Sequence, residues 1–431
     1  MADTPAVPIP DELRALDARH LWHPHTQHKG AAPPLPIARA VGACLYDYLG
    51  NKILDAISSW GTTLHGHAHP MIASAIAEQA HCLDQTAFAG LTHEPAVRLA
   101  GQLAAILPRG LTRVFYTDSG SAAVEVALKM ALQYWTNRGE KRRLIVGVEN
   151  GYHGETFGAM AAGARGTRTE PFAEHFFEVA RLPDPSVDHG EPAVAHLRDL
   201  LQQRAKDIAA VIVEPLLLGA GGMRVWQGKT LQVIRELTRE HGVLLIADEV
   251  LTGFGRTGPL FACGAAEVVP DIICLAKGLT GGFLPLGATV TREEIFAAFL
   301  SDDRRHTLFH GHAYAANAIA CAAARTSITL LDDDSTAKRA AIEETHRGQI
   351  AALAVHPMVR SPRVLGTLAA FEIGEDALDP RGLELAEFAL QRGVLLRPLG
   401  NTVYVLPPYC MSSQDLTDVY SLIGLFLEAR C

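Results

Sequence analysis

The sequence lacks several features that would place the protein in a particular class. No stretch of about 20 apolar residues runs without a charge or a proline, so we expect no transmembrane helix. No block of like charges occurs and the formal net charge is −9, which argues against a nucleic-acid partner, because such partners require a basic patch. The first ten residues, MADTPAVPIP, show no basic segment followed by an apolar one, so we expect no secretion signal and a cytoplasmic location.

Cysteine pairs are also absent, since the seven cysteines are scattered and none forms a CxxC motif. Their odd number and the apolar surroundings of several of them are typical of reduced core thiols in a reducing compartment. Histidines do cluster, in HPH (23–25), HGHAHP (65–70) and HGH (310–312). No cysteine or carboxylate lies beside them at the spacing of metal ligands, so we predict no bound metal.

The features that are present indicate an α/β fold. The 431 residues suffice for two domains, and 48 % hydrophobic against 20 % charged residues is the balance of a globular protein. Short apolar stretches alternate with segments of helical periodicity, and four of these stretches are predicted strands: RVFYTD (113–118), RLIVGV (143–148), AAVIVEP (209–215) and VLLIADEV (243–250). Such strands predict a mostly parallel sheet covered by helices on both faces.

Further elements are predicted around these strands. CLYDYLGNKILDAISS (44–59) is predicted to form a hairpin with its turn at LGN. Helices are predicted at 121–137, 230–242 and 313–331. Charged helices and short strands after residue 331 predict a smaller α+β unit.

One lysine stands out because of its neighbours. In DIICLAKGLTGG (271–282), Lys277 ends an apolar strand and precedes a glycine-rich turn. A lysine at the edge of a core has a lowered pKa and can attack a carbonyl carbon. Taken alone, it is explained as well by an ordinary surface charge.

Two more candidate groups follow predicted strands, and strand ends meet at the ligand-binding edge of an open parallel sheet. Asp248 ends an apolar strand, where a carboxylate needs a partner or a solvated cleft. Gly120 and Ser121 open a helix whose N-terminus is suited to a phosphate. Each alone is explained by a salt bridge or a helix cap. Together with Lys277 they indicate pyridoxal phosphate, with the lysine as Schiff-base partner, the aspartate at the ring nitrogen and the helix N-terminus at the phosphate.

The motifs around these residues also resemble a known family. LLIADEVLTGFGRTG, followed by PDIICLAKGLTGG, resembles the class III aminotransferases of fold type I, and the resemblance covers almost the whole chain. It implies that Lys277 carries the cofactor and then acts as general base, that Asp248 contacts the ring nitrogen, and that Tyr152 lies on the ring face. The implied cofactor site also contains Gly120, Ser121, His153, Glu214 and, from the neighbouring subunit, His312 and Ala313.

The resemblance also implies an architecture and an assembly. The large cofactor-binding domain would comprise residues 70–325, and the smaller α+β domain would combine residues 1–69 and 326–431 from the two termini. The resemblance implies a homodimer with active sites at the subunit interface and small-molecule substrates. It implies no membrane partner.

Five stretches resemble the class III members that aminate 8-amino-7-oxononanoate in biotin biosynthesis: LWHPHTQ (21–27), DAISSWGTTLHGHAHP (55–70), DSGSAAVEVALKMALQYW (118–135), GYHGETFGAM (151–160) and LLRPLGNTVYVLPPY (395–409). This resemblance implies that His25, Trp60, Tyr152 and Gly311 contact the substrate. It implies that Arg397 binds the substrate carboxylate, which suits the bidentate geometry of a guanidinium group. S-adenosylmethionine is the implied amino donor, and lysine remains an alternative.

The sequence departs from that pattern at five positions, where His25, Gly61, Glu155, His312 and Ala313 replace the residues typical of the family. The loss of a threonine hydroxyl at position 313 removes a contact to the phosphate worth roughly 1.5–3 kcal/mol, unless His312 compensates. These changes leave open an ω-aminotransferase of another pathway that acts on a different keto acid or aldehyde. Racemisation or decarboxylation with the same cofactor, and a non-catalytic homologue, are further alternatives.

Overall fold

The computed structural model describes residues 11–374, 376 and 379–430. Its strands are β1 Ile37–Val41, β2 Cys44–Asp47, β3 Lys52–Asp55, β4 Leu111–Thr117, β5 Leu144–Val148, β6 Val179–Leu182, β7 Ile208–Val213, β8 Leu217–Leu218, β9 Arg224–Val225, β10 Leu244–Asp248, β11 Ile272–Leu275, β12 Gly287–Arg292, β13 Val359–Leu365, β14 Leu368–Ile373, β15 Val394–Leu395 and β16 Thr402–Val405.

The helices and helical turns are α1 Asp11–His20, α2 Ser58–Gly61, α3 Pro70–Cys82, α4 Glu94–Ile106, α5 Gly120–Asn137, α6 Phe157–Ala162, α7 Glu191–Arg204, α8 Gly228–Glu240, α9 Ala262–Ala265, α10 Glu293–Ala297, α11 Ala318–Thr329, α12 Asp333–Leu353, α13 Arg381–Leu390 and α14 Ser413–Glu428. Short 3-10 turns lie at Glu170–His175, Asp188–Gly190, Lys277–Thr280 and Arg304–His306. No helix in the described ranges combines the length and apolarity needed to cross a membrane.

A seven-stranded sheet forms the centre of the molecule, in the order β4-β12-β11-β10-β7-β5-β6. The neighbouring pairs from β11 to β6 are parallel, whereas β12 is antiparallel to both β11 and β4. Every residue of β5, β7, β10 and β11 is buried, because helices cover both faces of the sheet. The predicted α/β fold and its four predicted strands are therefore confirmed. The antiparallel strand β12 was not predicted.

The predicted helices are present, but one of them begins later than expected. The periodicity predicted a helix over 313–331, whereas α11 comprises Ala318–Thr329. The Asn317 side chain accepts a hydrogen bond from the backbone N–H of Ala320 at 2.9 Å. Asn317 is thus the N-cap, and a capped helix begins after its cap. The alanines of 313–316 lie in turns despite their high helix propensity.

The smaller sheets lie in the N-terminal and C-terminal parts of the chain. The predicted hairpin is confirmed, since β2 and β3 pair antiparallel with Tyr46 opposite Lys52. Strand β15 pairs with β3 in parallel, which joins a C-terminal segment to an N-terminal one. A three-stranded antiparallel sheet, β13-β14-β16, lies against α12. The domain boundaries near residues 69 and 325 stay a prediction.

Candidate active site

Lys277 lies directly beyond the end of β11, in a cavity of about 420 Å³. Ala276 separates it from the strand, and Gly278 follows it in the 3-10 turn. A Cβ atom at Gly278 would lie only 2.9 Å from Leu64 Cδ1, so a glycine is needed here. Burial lowers the pKa of the Lys277 ammonium, against the opposing charges of Glu214 and Asp248. The amine is therefore more easily neutral than that of a solvated lysine, as a nucleophile or a base requires.

Asp248 is the last residue of β10 and is buried. Its Oδ2 lies 2.7 Å from His153 Nδ1, and its Oδ1 accepts a hydrogen bond from the backbone N–H of Val250 at 3.1 Å. Burial disfavours a charged His153, but the hydrogen bond and the charge of Asp248 outweigh it and raise the pKa of the imidazole. The contact gives the buried carboxylate of Asp248 the partner that a buried charge needs.

The N-terminus of α5 forms another side of the same cavity, which is lined by Ser119, Gly120 and Ser121. Ser119 Oγ caps the helix by accepting a hydrogen bond from the backbone N–H of Ala122 at 3.2 Å. The first N–H groups of a helix have no acceptor within it, and the helix dipole is positive at this end. This side of the cavity is suited to a phosphate group.

Glu214 follows β7 and lines the same cavity. Its Oε1 accepts a hydrogen bond from the backbone N–H of Tyr152 at 2.8 Å, and its Oε2 accepts one from that of Gly219 at 3.0 Å. Burial raises the pKa of Glu214 to about 7; the charge of Asp248 adds to this rise, while His153 and the two backbone donors oppose it. Glu214 thereby fixes the backbone that carries Tyr152.

Tyr152 lines this cavity and also a second one of about 370 Å³. Its hydroxyl donates a hydrogen bond to Glu155 Oε1 at 3.0 Å. Burial and the neighbouring charge of Glu155 raise the pKa of the phenol, so it stays neutral at physiological pH. Lys277 lines both cavities too, so the two spaces meet at these side chains.

The second cavity contains the predicted substrate residues His25, Trp60 and Arg397. Arg397 Cζ lies 5.2 Å from the centroid of the Trp60 ring, within the range of a cation–π contact. The His25 ring meets Trp60 edge to face, with 6.0 Å between the ring centroids. The structure thus brings an aromatic wall and a guanidinium group into one space with Lys277.

Trp60 is carried by an unusual backbone turn. Ser58, Ser59 and Trp60 all have positive φ values, of 49°, 46° and 64°. A left-handed conformation costs roughly 1–2 kcal/mol per non-glycine residue, so other contacts must hold the turn. Buried Asp55 supplies them, since its Oδ2 accepts hydrogen bonds from the Ser59 backbone N–H at 2.8 Å and lies 2.9 Å from His67 Nε2.

The departure at Gly61 has a physical reason in this turn. Gly61 has a φ of 82°, and a Cβ atom there would lie 2.9 Å from Leu251 Cδ1. A tryptophan here would have a strained backbone and would have to displace the Leu251 side chain. Sequence reasoning also missed the buried Arg256, which donates hydrogen bonds to the carbonyl groups of Gly61 and Thr63, each at 3.1 Å. Its place in GFGRTG, between apolar strands, was the available signal.

Three predicted residues are not brought to the cavities of their own chain. Gly311 and Ala313 are exposed, and neither lines the two cavities. His312 Nε2 lies 3.9 Å from Oδ1 of Asp118, which lines the 420 Å³ cavity. The predicted roles of His312 and Ala313 belong to a neighbouring subunit, and these roles and the substrate contact predicted for Gly311 stay predictions. The structure does bring Lys277, Asp248 and the other predicted residues together: Gly120, Ser121, Tyr152, His153 and Glu214.

Comparison with known proteins defines the class. The family model of the class III aminotransferases matches residues 26–427, so the chain belongs to this family of pyridoxal-phosphate-dependent enzymes. The adenosylmethionine-8-amino-7-oxononanoate aminotransferase of Synechococcus elongatus is 49 % identical over 420 residues, which cover 95 % of this chain and 98 % of the relative. The enzyme of the same name from Mycobacterium leprae is 40 % identical, with 96 % of each chain covered.

Solved structures agree with this assignment. The adenosylmethionine-8-amino-7-oxononanoate aminotransferase of Methanocaldococcus jannaschii matches with a TM-score of 0.93 at 32 % identity, covering 97 % of this chain and 99 % of that one. An amine transaminase from an uncultivated Pseudomonas species, in its pyridoxal-phosphate-bound form, matches with a TM-score of 0.89 at 32 % identity, covering 96 % and 99 %. The residues of the 420 Å³ cavity fit this cofactor: an amine, a strand-end carboxylate and a helix N-terminus face one space.

Proposed function

We propose that the protein transfers an amino group to 8-amino-7-oxononanoate, giving 7,8-diaminononanoate in biotin biosynthesis, with S-adenosylmethionine as the donor. The observation that carries the proposal is the 370 Å³ cavity, in which Lys277, Trp60 and Arg397 line one space. A long apolar chain packs well along an aromatic wall, and a guanidinium group binds a carboxylate. The curated relatives bear the name of this reaction.

Bound pyridoxal phosphate supplies the carbonyl group that accepts amines and an electron sink for the bond that breaks. Asp248, held in place by its contact with His153, would face the ring nitrogen and favour a proton there, and the α5 N-terminus would hold the phosphate. Lys277 Nζ, whose pKa is lowered by burial, would be the base that takes the proton from the carbon bearing the donor amine and delivers it to the carbon of the bound cofactor that had carried the carbonyl oxygen. Donor and acceptor use the same site in turn.

We also propose that the enzyme is a homodimer in which the segment 310–313 reaches the partner's cofactor site. Two large aromatic side chains flank this segment and are left in solvent by a single chain: Phe309 is 67 % exposed and Tyr314 is 66 % exposed. Exposed aromatic residues of this size are typical of subunit interfaces. A second copy of the chain would cover both side chains. It would also place Gly311, His312 and Ala313 beside the cofactor cavity of the partner subunit.

The direct test is product identification. The purified enzyme, loaded with cofactor, is incubated with 8-amino-7-oxononanoate and either S-adenosylmethionine or lysine, and the products are identified by mass spectrometry. The proposal expects 7,8-diaminononanoate with at least one donor and none with the Lys277→Ala variant. An enzyme that consumes a donor with pyruvate or an aldehyde, but never with this acceptor, is instead the ω-aminotransferase of another pathway.

A further inference from the structure

A second arginine, Arg168, lines the substrate cavity. It follows α6 in an exposed loop and contacts the 370 Å³ cavity together with Tyr152 and Arg397. It also lines a side cavity of about 250 Å³, which shares Tyr152 and Ala220 with the substrate cavity. Arg168 therefore stands where these two spaces meet, next to a tyrosine that also lines the cofactor cavity.

Arg168 has no hydrogen-bond or ion-pair partner among residues 11–374, 376 and 379–430. Its neighbour Arg165, by contrast, contacts the fold: Nη1 donates to the carbonyl groups of Met160 and Ala161, each at 3.1 Å, and Cζ lies 4.5 Å from the Phe176 ring centroid. Arg165 thus supports the fold. Arg168 makes no such contacts within the described part of the chain, so its guanidinium donors can bind a ligand.

The positive charge of Arg168 acts on the pKa of Tyr152 in the candidate active site. Burial and the charge of Glu155 raise the pKa of the Tyr152 phenol, and the guanidinium group of Arg168 opposes that rise. This effect requires the guanidinium group to lie close enough to Tyr152 for a Coulomb interaction. An anionic group bound by Arg168 would consequently lie beside the tyrosine that the two main cavities share.

The two half-reactions place a carboxylate at different distances from the reacting atom. In 8-amino-7-oxononanoate, six bonds separate carboxyl carbon 1 from ketone carbon 7 by the numbering of its name, so its carboxylate lies far from Lys277. In an α-amino acid donor, the carboxylate is attached to the carbon that bears the amine. A single fixed guanidinium fork cannot satisfy both positions without moving.

We propose that Arg168 binds the α-carboxylate of the amino donor, whereas Arg397 binds the distant carboxylate of the acceptor. This inference rests on the proposed function, because it assigns the two carboxylates of that reaction to two separate cations. It makes Arg168 a specificity-determining residue for donors that are α-amino acids. The acceptor half-reaction does not depend on it.

The test combines a substitution of Arg168 with removal of the carboxylate from the donor. S-adenosylmethionine and its decarboxylated form, which lacks only the carboxylate, are each mixed with wild-type enzyme and with Arg168→Gln, and loss of the cofactor's visible band is followed at several donor concentrations. We expect Arg168→Gln to raise the half-saturating concentration of S-adenosylmethionine by roughly 10-fold or more. The decarboxylated donor should bind both proteins equally, and the limiting rate should change less than the half-saturating concentration.

Two further variants serve as controls. Arg109→Gln removes an exposed arginine after α4 that lines neither cavity, and should leave both donors unaffected. Arg397→Gln should raise the half-saturating concentration of the acceptor but not that of the donor. Equal weakening of both donors by Arg168→Gln, or weakening of the acceptor alone, would overturn the proposal. If the wild type never aminates 8-amino-7-oxononanoate, the proposed function fails, while the donor comparison still decides the role of Arg168.

Discussion

Burial is the main influence on the pKa values of single residues in this site. Lys277, Glu214 and His153 all have shifted pKa values, and desolvation is the largest influence on each. For Lys277 it favours the neutral amine, and for Glu214 it favours the protonated acid. His153 is the exception, because its close contact with Asp248 reverses the effect of burial.

The reactivity of Lys277 in the cofactor-free enzyme should reflect its lowered pKa. Only the neutral amine attacks a carbonyl, so its reaction with pyridoxal phosphate, trapped by borohydride, should rise with pH and reach half-maximum below the usual lysine value of 10.5. Peptide mass spectrometry separates Lys277 from the exposed Lys206, which serves as an internal reference. Identical pH profiles for the two lysines would contradict the assignment.

Glu214 should make the stability of the cofactor-free enzyme depend on pH. Its folded-state pKa of about 7 lies above the usual 4.5, so the folded protein holds this proton more tightly than the unfolded chain does. The resulting stabilisation is fully present below about pH 4.5 and is lost as the pH rises through 7, by up to ~3 kcal/mol. Urea unfolding across this range should therefore show a shallower decline for Glu214→Gln than for the wild type. Parallel curves would show that Glu214 does not titrate here.

At the scale of elements, strand ends and caps place the candidate catalytic groups, and their sequence signals are readable. Strands β10 and β11 are short apolar runs, so the sequence alone predicts that Asp248 and Lys277 lie at one edge of the sheet. The left-handed turn that carries Trp60 was not predictable, because Ser58 and Ser59 have no local preference for positive φ. A long-range contact with buried Asp55 decides its conformation.

Removal of that contact should disturb substrate binding. Asp55→Ala frees the Ser59 backbone N–H and breaks the contact with His67, so the turn relaxes and Trp60 leaves its place in the cavity. We expect the KM for the acceptor to rise roughly 10-fold, with a stability loss of about 1–3 kcal/mol. Asp47→Ala is the matched control, since Asp47 holds an exposed hairpin turn by accepting hydrogen bonds from the backbone N–H groups of Leu49 and Asn51. If both variants change KM equally, Asp55 does not position Trp60.

At the scale of the whole molecule, the sequence predicted the parallel strands of the central sheet but not its antiparallel strand β12. The parallel strands were recognisable because burial on both faces makes them continuously apolar. Strand β12, GATVTR, contains two threonines that hydrogen-bond backbone carbonyl groups of Ala123 and Asp271, so it lacks that signal. Arg168 was missed for a related reason: nothing in its local sequence separates it from a surface arginine.

The dimer also belongs to this scale, and Phe309 offers a test of it. Phe309→Glu places a charge where the proposed interface buries an aromatic ring, so we expect dissociation to monomers and weaker cofactor binding. Val355→Glu changes a side chain that is 86 % exposed after α12 and should leave the dimer intact. Analytical ultracentrifugation measures the mass, which for the wild type should be twice the 46.3 kDa of one chain. A monomeric wild type with full activity would contradict the shared site.

If one site accepts an amino group from a donor and passes it to 8-amino-7-oxononanoate, both half-reactions should be visible in one enzyme. The most direct measurement follows the cofactor's visible band in a single turnover. The enzyme is first bleached with S-adenosylmethionine or lysine, freed of excess donor, and then mixed with 8-amino-7-oxononanoate. We expect the band to return with one equivalent of 7,8-diaminononanoate per site; a band that stays bleached with this acceptor but returns with another keto acid would show that 8-amino-7-oxononanoate is not the substrate.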